Sequence, residues 1–248
     1  MLAVISPFIL INNLFFPFIT GKAFYFRIIV EIATLLYIVL AVIDKEFRPR
    51  MTPLFIGMSA FVVILIMATI GAVDPLKAFW SNYERMEGLV LFLHLFAYFI
   101  VAASVIKKKD GWWIWFFNAS LLMSIVVGVD AFLSFYSDPN HGGYRIFGNL
   151  GNSSYLGVYS LIHVFISLFF IVKKIGHRTV KALASQGSFV AIALYSLVGL
   201  FNLIVMFNTG TRGSFVGLVL GILVSALLIA IFEKQNKALR KTGIALVS

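Results

Sequence analysis

Cysteine is missing from all 248 residues, which excludes disulfides, thiol nucleophiles and thiolate metal sites. Charge is scarce too. Asp, Glu, Lys and Arg make up 12% of the chain, whereas a soluble domain carries about 25%. The four histidines, His94, His141, His163 and His177, stand far apart with no ligand spacing, so neither a metal centre nor another cofactor is expected. Acidic residues number 10 against 20 basic ones. In a soluble protein that imbalance would point to nucleic acid, but the rest of the composition argues against such a partner.

What fills the chain is apolar: 61% of it is hydrophobic, against about 45–50% in soluble domains. No soluble fold of this length buries that much apolar surface, so lipid must solvate most of it. Runs long enough to cross roughly 30 Å of hydrocarbon fall at about 2–19, 28–43, 54–73, 88–106, 112–132, 155–172, 188–207 and 214–232. The second is short and borrows residues from 23–27. Lipid offers no water to an open sheet edge, so spans of this kind are helical. The expected fold is all-α: one polytopic membrane domain over 1–248 with about eight transmembrane helices. The first run lacks the basic start and small-residue cleavage site of a signal peptide. It reads as a first helix made irregular by Pro7, Asn12, Asn13 and Pro17.

Orientation follows from the basic residues. One alternating set of loops holds Lys45, Arg48 and Arg50, then Lys107 to Lys109, then Lys173, Lys174, Arg178 and Lys181, and finally Lys234, Lys237, Arg240 and Lys241. That set carries fourteen of the 20 basic residues, and the positive-inside rule assigns it to the cytoplasm. Both ends of an eight-helix chain then face inward. Trp112, Trp113 and Trp115 follow one cytoplasmic loop as an interfacial aromatic belt.

The outer loops retain Lys22, Arg27, Lys77, Arg85, Arg145 and Arg212, which orientation does not require. Arg27, Arg85, Arg145 and Arg212 each fall at or just before a helix entering from outside. A cation near a helix N-terminus opposes the macrodipole at about 0.3–1 kcal/mol. Four such placements make sense around a shared anion, because helix N-termini and arginine forks both favour phosphate oxygens. The island Tyr144–Gly157, YRIFGNLGNSSYLG, is the most concentrated instance. Its glycines and asparagines, Asn149 and Asn152 among them, suit a loop whose backbone N–H groups approach a bound ligand. The plainer alternative is that the arginines reach lipid headgroups or pair with Asp74, Glu84, Glu87 and Asp138.

Other residues stay open between two readings. His94 and His163, inside helices, are either proton carriers or hydrogen-bonded links between helices. Glu31 and Asp130 are placed near outer helix ends, reaching the interface or an arginine. His141 is the sole histidine in an outer loop and reads as a base or as a solvated side chain. Gly213, Gly217 and Gly221 recur every four residues in the last helix, a pattern of close helix packing.

Four stretches, FFPFITGKAFYFRIIVEI, NYERMEGL, RIFGNLGNSSYLGVY and NTGTRGSFVGL, together resemble the O-antigen ligase and O-antigen polymerase family of membrane glycan-assembly enzymes. The resemblance covers nearly the whole chain but only the N-terminal part of a typical family member. It implies a metal-independent glycosyltransferase of the bacterial cytoplasmic membrane, moving a glycan from undecaprenyl diphosphate to a lipid, polysaccharide or protein acceptor at the outer face. It also implies that Lys22, Arg27, Arg85, Arg145 and Arg212 line the diphosphate or glycan site, with Arg145 and Arg212 stabilising charge on the leaving group. Family members continue into a large outer loop with an acceptor-activating histidine, followed by further helices. His141 does not occupy that position, so the catalytic base is expected in a missing part. The apolar tail KTGIALVS reads as a natural end or, preferred, as the start of a ninth helix. The competing class is a transporter, flippase or binding subunit for a lipid-linked anionic glycan.

Overall fold

The computed structural model describes residues 2–82, 86–106, 110–137, 145–176, 186–232, 243 and 245. Among these every regular element is helical. Six helices are long and apolar enough to cross a membrane: α1 (Thr20–Ile43), α2 (Pro53–Ile70), α5 (Asp110–Ser137), α6 (Ser153–Gly176), α7 (Gln186–Asn208) and α8 (Arg212–Phe232). Two shorter ones, α3 (Pro75–Trp80) and α4 (Leu89–Val105), complete the set, and α4 is mostly apolar. The chain forms two compact units that divide between Ala119 and Ser120, inside α5.

The expected first helix is not there. Residues 2–8 form a 3-10 helix containing Pro7, and turns follow up to Ile19. Proline removes a backbone donor and clashes with the preceding turn, and the Asn12–Asn13 pair favours turn conformations, so Pro7, Pro17 and the asparagines cut the run into pieces. The segment folds back on α1: the Tyr25 hydroxyl donates to the Leu2 carbonyl at 3.1 Å, and Ile11 packs on Gly21. Residue 2 therefore lies beside the first turns of α1, and 2–19 does not carry the chain to the opposite end of that helix.

A second correction concerns α1. It begins at Thr20, ahead even of the borrowed residues 23–27, because Gly21-Lys22-Ala23 continue the helix directly from the turn after Pro17. Arg27 thus lies two turns inside the helix, and Glu31 lies at its middle.

In the first unit α1 and α4 run parallel. Phe26 meets Tyr98 edge-on at 5.7 Å, and the Tyr37 hydroxyl bonds to Ser104 at 3.2 Å and the Phe47 carbonyl at 2.9 Å. Helix α2 packs antiparallel to α4 through Phe61–Phe92 and Phe55–Phe96. Thr52 caps α2 by accepting from the Phe55 N–H, with Pro53 in the first turn. Asp74 caps α3 in the same way, accepting from the Lys77 N–H at 2.9 Å.

The second unit is built on α6. Helix α7 packs antiparallel to it, stacking Tyr195 on Phe170 at 4.8 Å and setting Gly199 against Ser167. Helix α8 runs parallel to α6: Gly157 meets Ser214, Leu161 meets Gly217, and Phe165 meets Gly221. Polar links join the later half of α5 to its neighbours. The Asn202 amide donates to Ser124 at 2.9 Å, and Ser120 and the His163 ring lie 2.8 Å apart. A core of Val127, Ala131, Ile146, Leu156 and Val205 closes the end of the unit that carries the polar island.

Candidate functional site

The parallel packing of α6 and α8 brings their N-termini side by side, and residues 145–157 and 208–214 meet there. Gly157 makes this approach possible. A Cβ on it would fall 2.6 Å from Ser214 Oγ and 3.0 Å from Thr209 Oγ1. Ile146, 2% exposed, anchors the incoming strand of chain, and its N–H donates to the Asn208 carbonyl at 3.2 Å. Gly148 turns with φ +49° directly against Ala131. Gly151 follows with φ +69° and Gly210 with φ +59°. All three occupy the left-handed region that glycine enters without steric cost.

Arg145 is tied to this joint. Its Nε donates to the Thr209 carbonyl at 2.6 Å and its Nη2 to Thr211 Oγ1 at 3.1 Å, while its stem lies along Gly210. Thr211 Oγ1 in turn donates to the Ser153 carbonyl at 3.2 Å, which locks the first turn of α6 to the start of α8. Guanidinium carries five N–H donors, so two bonds orient the plane and leave the remaining donors pointing from an exposed side chain. Arg212, in the first turn of α8, is exposed as well. Two helix N-termini and two arginines therefore stand at one end of the second unit, a positive field with no acidic side chain bonded to either arginine among the described residues.

The asparagines have local partners. The Asn149 N–H donates to Asp130 Oδ2 at 2.9 Å, and Asn152 Oδ1 accepts from the Ser154 N–H at 2.7 Å, capping α6. Asp130 thus holds the loop and bonds to no arginine among the described residues. Ser214 Oγ, beneath Gly157, is buried with no hydrogen-bond partner among the described residues.

In the first unit Arg27 is 5% exposed. Its Nη2 donates to the Met86 carbonyl at 2.7 Å, and its Nε is buried without a partner among the described residues. Met86 itself has φ +52° and Ser81 has φ +66°, so Arg27 fixes a strained turn before α4. Lys22 Nζ donates back to the Phe18 carbonyl at 2.9 Å. Arg85, Glu84, His141 and Asp138 lie outside the described residues, as does Tyr144. His94 faces Glu31 at 3.1 Å, a pairing the sequence reading missed by placing Glu31 near a helix end. Thr209 and Thr211 were missed too, although both sit in the NTGTRGS string, and Asp130 was noted without its bond to the Asn149 N–H. Among the described residues no group of three or more His, Asp or Glu side chains is placed to share a metal ion.

No protein-family model, curated protein or solved structure matches this chain. Its class rests on the fold: an all-helical protein whose long apolar helices suit repeated membrane crossing.

Proposed function

We propose that the protein is a glycosyltransferase of the bacterial cytoplasmic membrane, transferring a glycan from undecaprenyl diphosphate to an acceptor at the outer face. The single observation carrying this reading is the joint of α6 and α8, where Arg145 is oriented by Thr209 and Thr211 between two adjacent helix N-termini. Such an end attracts a doubly phosphorylated headgroup. Transfer breaks the bond between the sugar's anomeric carbon and the phosphate oxygen, whose electrons leave with the diphosphate, and the acceptor hydroxyl forms the new bond as it gives up its proton to a base. Negative charge grows on the departing diphosphate, and preorganised cations at that position stabilise it as it forms. Arg145 and Arg212 have this role. The four motifs that resemble the O-antigen ligase and polymerase family supply the glycan and the lipid carrier.

On the positive-inside reading, the loops at 45–50 and 173–174 are cytoplasmic and the starts of α1, α4, α6 and α8 are outer. The parallel pairs α1–α4 and α6–α8 fit that alternation. The segment 2–19 then lies with the outer start of α1. A second reading, movement of a lipid-linked anion across the membrane, draws support from the ionisable pair Glu31–His94 in the middle of a span.

The test is binding of undecaprenyl diphosphate to the full chain reconstituted in vesicles. Arg145→Lys keeps the charge and loses the fork. A diphosphate site built on that fork weakens by roughly tenfold or more. Unchanged binding in both Arg145→Lys and Arg212→Lys would reduce these arginines to headgroup anchors.

A further inference from the structure

Glu31 is the twelfth of the 24 residues of α1. At about 1.5 Å per residue it lies about 17 Å along the helix, near the middle of a roughly 30 Å hydrocarbon layer. An ionisable side chain at that depth is rare and needs a partner. Glu31 Oε1 lies 3.1 Å from His94 Nε2, and the other ring nitrogen, His94 Nδ1, lies 2.6 Å from the Val90 carbonyl. That carbonyl only accepts, so Nδ1 must carry a hydrogen. Nε2 of a neutral imidazole is then a bare acceptor facing a carboxylate oxygen, which is a second acceptor. Two acceptors at hydrogen-bond distance need a proton between them, on Nε2 or on Oε1.

We propose that Glu31 and His94 form a reversible proton-binding site within the membrane span, loaded in the geometry described. Loading transfers one proton from hydronium to the pair, releases water and raises the local charge by one. The pair borders a groove lined also by Val30, Thr34, Leu35, Leu93 and Ala97, with a volume of about 410 Å³. Glu31 presents 62% of its side chain there, against 15% for His94, so the carboxylate is the entry group and the imidazole the inner one.

The surrounding charges are few among the described residues. Arg27 sits one helical turn from Glu31 on the same side of α1. With the pair unloaded, Arg27 and Glu31 balance, and loading leaves one net positive charge. Helix α4 adds Tyr98, with Glu87 just before its start. Helix α2 and the segment 2–19 carry no titratable side chain. Lys77 on α3 and Asp44, Lys45 and Glu46 at the far end of α1 belong to helix ends. His163 is the instructive contrast. Its Nδ1 faces the Tyr159 carbonyl at 2.7 Å, but its Nε2 faces the Ser120 hydroxyl at 2.8 Å, which donates to it. A neutral ring satisfies both contacts with no added proton.

This site does not rest on the glycan-transfer reading and is tested without it. The full chain, with ¹⁵N-labelled histidine, is reconstituted in phosphatidylglycerol–phosphatidylcholine vesicles and followed by solid-state NMR between about pH 8 and about pH 5. The expected result is a reversible change of the His94 ring from neutral to proton-sharing, with the His163 ring unchanged. Glu31→Gln abolishes the His94 change over that range, because the Gln amide donates to Nε2 and satisfies a neutral ring. Glu31→Asp retains it. The unchanged His163 signal shows in each variant that the second unit is folded, and the His94 change retained in Glu31→Asp shows the same for the first. A His94 ring that keeps one protonation state throughout, or that changes identically in Glu31→Gln, overturns the proposal.

Discussion

Arg145 shows how much one side chain's neighbours decide. Its two bonds to Thr209 and Thr211 convert a flexible cation into an oriented one, which is the reason to expect a binding defect in Arg145→Lys with little loss of fold. Gly157 is the opposite case, a residue whose role is to be small. In Gly157→Ala the new methyl meets Ser214 Oγ at 2.6 Å, and overpacking of this kind costs about 1–3 kcal/mol. Thermal unfolding in detergent should fall accordingly, and an unaltered midpoint would show that α6 and α8 separate easily. The arginine and the glycine-asparagine steps were legible in the sequence because they break an apolar background. Asp130, which holds the Asn149 N–H from 19 residues away, was not, since only the fold brings it there. Arg27 was seen as a cation but not as a buried clamp on the Met86 carbonyl, because its helix starts at Thr20, ahead of the expected residues 23–27.

Seven of the eight apolar runs became helices, with boundaries shifted by a few residues. The exception is 2–19, where the length of the run suggested a span and the prolines prevented it. Hydrophobicity measures affinity for lipid, whereas a helix also needs an unbroken ladder of N–H donors. The glycine repeat of α8 was read correctly for two of its three members. Gly217 lies against Leu161 and Gly221 against the Phe165 ring, while Gly213 has open space around it. Gly221→Leu should therefore loosen α8 from α6 by about 1–3 kcal/mol, and Gly213→Ala should stay within about 0.5 kcal/mol of the parent. Comparing the two unfolding midpoints checks this. Equal effects would mean that α8 packs with a different face.

Across the whole molecule the class was legible in the sequence, because lipid leaves few alternatives to apolar helices. The missing cysteine makes the orientation easy to measure. Single substitutions Lys45→Cys and Lys77→Cys introduce one thiol each, at the ends of the first unit assigned to the inside and the outside. A membrane-impermeant maleimide added to intact cells should label Lys77→Cys and leave Lys45→Cys unlabelled until the membrane is opened. The reverse pattern would turn the arginines towards the cytoplasm and remove the outer-face reading.

The central claim is that the arginine-bearing joint of α6 and α8 receives a lipid-linked diphosphate. Photo-crosslinking with an undecaprenyl-diphosphate analogue, activatable at the diphosphate end and mapped by peptide mass spectrometry, tests it most directly. The expected labels concentrate in residues 145–157 and 208–214 and are competed away by unlabelled undecaprenyl diphosphate. Labels spread along the lipid-facing helices, or unaffected by competitor, would contradict the claim and leave that joint as a structural feature only.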